Sequence, residues 1–331
     1  PAGQAAGMTG VDLHAHVAPR TVLERMGLLR VDDGGIAVRL GERWQPVPAA
    51  LLTPEALFQG PESEGIAIRV VSLPPFLLRH DLVPADGLSY SRAMNDGLAE
   101  IARRSGGRIR ALATVPLQAP EAAAEELRRA VEVLGCDGVE IASNVAGRTD
   151  LDDPALDPFW RAAAELKALV LIHPHDVAGA GRMQPYHLRN LVGNPMETAL
   201  AASRLLFGGV LRRHPDLRIL LSHGGGALPW LLGRLDRGFR VRPESRTGGE
   251  SPADGARRFL YDTVVHSPEI LRMLVTWVGI SQVVLGTDFP FDMGDPQAVS
   301  TVTRAIRDPG ARRAILTGNA ERLLAPVRPT A

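Results

Sequence analysis

Gly10-Val11-Asp12-Leu13-His14-Ala15-His16-Val17 is a short apolar run that ends in two imidazoles two residues apart. Side chains alternate across a β-strand, so residues at i and i+2 share a face. Read as a strand, the run sends His14 and His16 the same way from its carboxyl end. Seven more apolar runs follow, at 66–73, 109–115, 138–142, 169–173, 217–223, 260–265 and 283–287. Most are unbroken stretches of Val, Ile and Leu, the pattern of parallel strands covered on both faces. Segments of helical period lie between most of them, at 91–104, 120–134, 154–166, 195–213, 228–239 and 268–278, with two more at 298–307 and 311–324. Several open on proline, which suits a first helical turn. Eight alternations of strand and helix predict an α/β fold, a closed (β/α)8 barrel of the TIM type.

One stretch breaks the rhythm. Residues 20–54 contain Asp32-Asp33-Gly34-Gly35, Trp44-Gln45-Pro46-Val47-Pro48 and short strand-like runs such as Ile36–Leu40. They predict a small insertion after the first strand, lying over the barrel mouth. The expected division is a disordered tail at 1–9, the barrel at 10–325 and a C-terminal tail at 326–331.

The 331 residues carry 37 Lys plus Arg against 37 Asp plus Glu, a formal balance of zero that points to neither nucleic acid nor a membrane surface as partner. No apolar run reaches the roughly 18–20 residues of a membrane span, and the first ten residues lack the basic and apolar regions of a signal peptide. A cytoplasmic protein is the expectation. The single cysteine, Cys136, excludes an intrachain disulfide and reads as a buried structural thiol.

In such barrels reactive side chains stand at the carboxyl ends of the strands. Here those ends read Asp12-Leu13-His14-Ala15-His16, Leu171-Ile172-His173-Pro174-His175, Leu221-Ser222-His223-Gly224-Gly225-Gly226 and Leu285-Gly286-Thr287-Asp288-Phe289-Pro290. His-x-His alone is a weak signal. Four polar ends in barrel order form a constellation whose imidazoles and carboxylate suit zinc, with an open position that acidifies water. His223, between an apolar strand and three glycines, reads as a general acid/base beside the metal. His175 is expected to line the pocket or support it. His80 and His187 fall in loops near the substrate, His214 suits a helix end, and His266 ends the seventh strand.

At these residues the sequence resembles the amidohydrolase superfamily, in the branch of aminocarboxymuconate-semialdehyde decarboxylase. The resemblance runs over nearly the whole chain after residue 10. It rests on 12–20 (DLHAHVAPR), 113–120 (ATVPLQAP), His173-Pro174-x-Asp176, 191–198 (LVGNPMET), 222–237 (SHGGGALPWLLGRLDR) and 285–291 (LGTDFPF). It implies one Zn2+, or Mn2+ or another divalent ion in its place, held by His14, His16, His173 and Asp288 plus water. It implies that His223 activates this water, so that His223 and Asp288 are the catalytic groups. It also implies a homodimer in which Arg234 reaches the neighbouring active site, where an arginine fork suits a carboxylate. Phe291 and His175 fall in the substrate region. The family's substrate-binding arginine on the insertion has two candidates here, Arg39 and Arg43, and the family's tryptophan after His-Pro is His175.

These features predict non-oxidative decarboxylation of an unsaturated or aromatic carboxylic acid. The same site suits a hydrolase or hydratase acting on a lactone, ester, amide or activated double bond. A third reading, a silent binding barrel, conflicts with retention of every ligand and His223. No Gly-x-Gly-x-x-Gly follows a strand, so no dinucleotide cofactor is expected.

Overall fold

The computed structural model describes residues 10–324, so the expected tails at 1–9 and 326–331 lie outside the described residues, as does residue 325. Eight parallel strands follow one another around a barrel: Gly10–His16, Ile66–Ser72, Ile109–Ala113, Gly138–Ala142, Leu169–His173, Arg218–Leu221, Leu260–Asp262 and Val283–Val284. The last returns to the first through Leu13 N–H to Leu285 O at 2.9 Å and His16 N–H to Phe289 O at 2.7 Å. The (β/α)8 reading of the sequence is borne out.

The strands are buried on both faces, as their continuous apolar composition requires. Helices cover the outside with one apolar stripe each. Pro120–Glu132 buries Ala123, Leu127 and Ala130, and Pro268–Val278 buries Leu271, Leu274 and Val278, the three- and four-residue spacing of one helical face. Ser267 caps the latter, its hydroxyl accepting from the amides of Glu269 and Ile270.

Some boundaries differ from the sequence reading. The helix expected at 91–104 begins at Pro84; proline tolerates a first-turn position because its missing N–H would be unpaired there anyway. The helix expected at 195–213 is two, Asn194–Phe207 and Val210–Arg213, broken at Gly209, whose φ of +69° leaves the helical region. The late strands stop short because the chain turns at the rim, where His223, His266 and Asp288 all have positive φ.

Between the first and second strands run a short helix, Arg20–Arg25, an antiparallel sheet of Leu29–Asp32, Gly35–Leu40 and Arg43–Pro46, and three single-turn helices ending at Ser63. These elements continue past residue 54. They are tied to the barrel by Ala18 N–H to Leu51 O at 2.8 Å and by Arg69 Nε to Leu57 O at 2.7 Å. Arg69 is itself fully buried, donating to Asp12 Oδ2 at 2.5 Å and Thr287 Oγ1 at 2.7 Å. That network joins the first, second and eighth strands beneath the mouth.

Candidate active site

The carboxyl ends of the first, fifth, sixth and eighth strands converge. The register of the first strand against the second gains one residue between Asp12 and Ala15. Such a bulge re-aims side chains beside a site. The rings of His14, His16 and His173 then stand 5.1 to 5.4 Å apart, centroid to centroid. All three face one oxygen of Asp288. Oδ1 is 3.5 Å from His14 Nε2, 3.1 Å from His16 Nε2 and 4.0 Å from His173 Nε2. The other oxygen, Oδ2, meets His223 Nε2 at 3.2 Å. His14, His173, His223 and Asp288 present ligand atoms within 4.8 Å of one another.

The far nitrogens decide what the near ones offer. His14 Nδ1 donates to Asp262 Oδ2 at 2.7 Å, His16 Nδ1 to Leu73 O at 3.2 Å and His173 Nδ1 to Pro174 O at 3.2 Å. An Nδ1–H committed to oxygen leaves Nε2 as the nitrogen aimed inward, with a lone pair to offer whenever the ring is neutral. The Nε2 atoms of His14 and His173 are buried with no hydrogen-bond partner. Unpaired buried polar atoms are costly, and a divalent ion would satisfy them; the donor set of imidazole and carboxylate fits one. His223 differs, because it faces Oδ2 and its side chain is 17% exposed toward the cavity.

Electrostatics follow from burial and neighbours. Burial works against charge on His14, but Asp288, Asp262 and Glu140 outweigh it and lift its pKa to about 9. An ion that takes this nitrogen below that pH displaces a proton. Burial, reinforced by His223, holds His173 well below the usual histidine range, so it is neutral. Burial would raise Asp288, yet His14, His16 and His223 hold it well below the carboxylate range.

Asp262, which the sequence reading passed over, anchors the rim. Besides His14 it accepts from the amides of His223 at 2.9 Å, Gly224 at 2.8 Å and Val264 at 3.0 Å. One carboxylate thus orients both a candidate ligand and the loop carrying His223. Glu140, buried on the fourth strand with Oε2 3.7 Å from His16 Nδ1, was also missed. The signal for both was a carboxylate inside an apolar parallel strand. Of the three glycines after His223, Gly226 shows why no side chain fits: a Cβ there would stand 2.3 Å from Pro195 O.

A cavity of about 820 Å³ opens over these groups, reaching His173, His223 and Asp288. Phe76, Phe291, Val264 and Ile270 give it apolar walls, and His175, His187, Arg189, His266 and Asp292 give it polar ones. A second hollow of about 630 Å³, between the insertion and helix Pro84–Arg104, contains none of the strand-end groups. His175, His187, His266 and Phe291 thus reach the cavity, whereas His80 is buried behind it. Arg39 and Arg43 are not brought there. They sit exposed on the small sheet, Arg39 opposite Trp44 and Arg43 opposite Leu40, with Arg39 Nε spent on Gly41 O at 3.1 Å. The hairpin register instead delivers Gln45 to the cavity. Arg234 is exposed on helix Leu228–Val241 and does not line its own chain's cavity. Asp236, two residues on, accepts from Ala253 N–H. His214 pairs with Asp157 at 2.8 Å, and Cys136 is buried, its thiol pushed up to about 12 by that burial.

The family model described as amidohydrolase matches residues 11–325. The chain belongs to the amidohydrolase family. This amidohydrolase is 33% identical over 297 residues to 2-amino-3-carboxymuconate-6-semialdehyde decarboxylase of Dictyostelium discoideum, covering 86% of this chain and 82% of that one. The enzyme of the same name from Caenorhabditis elegans is 27% identical over 347 residues, covering 86% of each. Among solved structures, 5-carboxyvanillate decarboxylase from Sphingomonas paucimobilis superposes with a TM-score of 0.81 at 25% identity, covering 96% of this chain and 99% of that one. These relatives are carboxy-lyases by name. No helix among the described residues is long and apolar enough to cross a membrane.

Proposed function

We propose that this amidohydrolase is a metal-dependent, non-oxidative decarboxylase of an unsaturated or aromatic carboxylic acid. The observation that carries the reading is the pair of faces on Asp288: three inward imidazole nitrogens on Oδ1, and His223 on Oδ2 toward the cavity. His14, His16, His173 and Asp288 would hold the ion, Zn2+ by the softness of three imidazoles, with Mn2+ the alternative. When bound, such an ion polarises an oxygen of the substrate or of water.

The chain's own residues do the rest. The bond to the carboxylate breaks with its electron pair left on carbon, CO2 leaves, and one proton must reach that carbon. His223 Nε2 opens to the cavity and is oriented by Asp288 Oδ2, so it is placed to move this proton. Phe291, 5.4 Å from the His16 ring and 6.2 Å from Phe76, offers flat apolar surface for a conjugated plane. No electrons are gained or lost, so no redox cofactor is required. Arg234, exposed and without a side-chain partner among the described residues, would hold the carboxylate of substrate in a neighbouring copy of a homodimer.

The test is release of CO2 from a panel of hydroxybenzoates and amino- or carboxy-substituted muconates, before and after chelation and return of Zn2+ or Mn2+. Lactone hydrolysis with no CO2 from any acid would replace this reading by the hydrolase. Mixing Arg234→Ala with His223→Asn subunits tests the dimer: shared sites restore part of the activity, and independent sites restore none.

A further inference from the structure

The cavity wall that follows the fifth strand bears no group the mechanism uses, yet it is firmly built. Ser143 Oγ and Asn144 Nδ2 hold the carbonyl of His175 at 3.1 and 2.9 Å. Buried Glu197 in turn binds Asn144 Nδ2 and the Ala178 amide, each at 2.9 Å. Further along, Tyr186 and His187 both take left-handed φ, near +60°. Non-glycine residues keep that conformation where surrounding structure demands it, commonly around ligand sites. Arg189 follows, its amide fixed to Met183 O at 3.1 Å.

Arg189 lines the cavity, and no side-chain hydrogen bond or ion pair engages it among the described residues. Among the described residues it is the one arginine or lysine in the lining. The lining carboxylates are Asp288, committed to the histidines, and Asp292, on the loop after the eighth strand. Neither pairs with Arg189. His175 lines the same cavity. A planar guanidinium with no side-chain partner among the described residues, in a cavity that an imidazole also lines, is a ready site for a carboxylate.

We infer that Arg189, with His175, forms a second anion subsite at the cavity wall, and that the substrate carries a second acidic group, remote from the carboxylate that is lost. This inference rests on the decarboxylase reading and narrows it to diacids. Arg189 is a specificity residue supplied by the same chain, separate from Arg234. It stands in for the insertion arginines that do not reach the cavity.

The experiment measures binding of matched acids to the Zn2+-loaded protein by calorimetry: benzoate against isophthalate and terephthalate, and sorbate against muconate. The expected result is that at least one diacid binds about tenfold or more tighter than its monoacid, in line with a charge-assisted hydrogen bond. R189Q should bring that ratio close to one, and R189K should keep part of it. If no diacid is preferred, or if the preference survives in R189Q, the subsite is refuted. CO2 release by the wild-type protein is followed alongside. An Arg189-dependent preference without CO2 from any acid would leave the subsite standing and remove the decarboxylase reading. CO2 release with no Arg189-dependent preference would do the reverse.

Discussion

The two sides of the cavity are built on opposite principles. At the barrel floor His14 and His16 are fully buried, His173 and Asp288 nearly so, and each of the three histidines has its outer nitrogen assigned to an oxygen. On the wall after the fifth strand, Gln184, His187 and Arg189 are exposed, and the Arg189 side chain has no partner among the described residues. The floor is over-determined and the wall is left open. Ligation and proton transfer depend on placement to a fraction of an ångström, so strands hold those groups. Choice of substrate needs only a charge within reach, which a loop supplies and can exchange without disturbing the floor.

The largest effect should come from the floor. His223→Asn should lower kcat by about 10²–10⁴, the usual weight of a general acid/base, while bound metal measured by mass spectrometry stays near one per chain. Loss of the metal together with activity would make His223 a ligand and redraw the floor.

Arg69→Leu tests what supports that floor. It strands Asp12 without its cation under the site, and removing one partner of a buried pair costs about 3–5 kcal/mol. Denaturant unfolding of the apo-protein reads this directly, and a change under 1 kcal/mol would show that the hydroxyl and amide hydrogen bonds to Asp12 suffice.

Asp262→Asn should weaken metal binding about 10–100-fold, the typical cost of removing an outer partner of a ligating histidine. Competition with a chromophoric chelator measures it. Unchanged affinity would mean that Asp262 serves only the amides of His223, Gly224 and Val264.

The smallest effect is graded. Because the His14 pKa is raised to about 9, each ion bound below that pH releases a proton. Metal affinity should therefore climb by at most about tenfold per pH unit toward pH 9 and level off above it. Stability of the apo-protein carries the opposite sign: the His14 contribution is fully present below pH 6.5 and fades as the pH passes about 9. A flat affinity profile from pH 7 to 9 would show that His14 is already deprotonated.

Much of the floor was legible in the chain. Parallel strands buried on both faces must be apolar, so a polar residue at a strand end stands out, and His14, His16, His173, His223 and Asp288 were found that way. Asp262 and Glu140 carried the same kind of signal but lay within strands, where a lone carboxylate looks like an exception until its partners are known. Local sequence therefore determined the barrel, its strand order and the residues at its rim, because alternation and burial act over a few neighbours. Tertiary structure alone decided that Asp262 orients His14 from 248 residues away. It alone decided that a hairpin register turns Gln45 inward and leaves Arg39 and Arg43 outside, and that Arg189 lines the cavity with no side-chain partner among the described residues. Such pairings depend on which distant groups meet when the barrel closes, and no short stretch of chain records them.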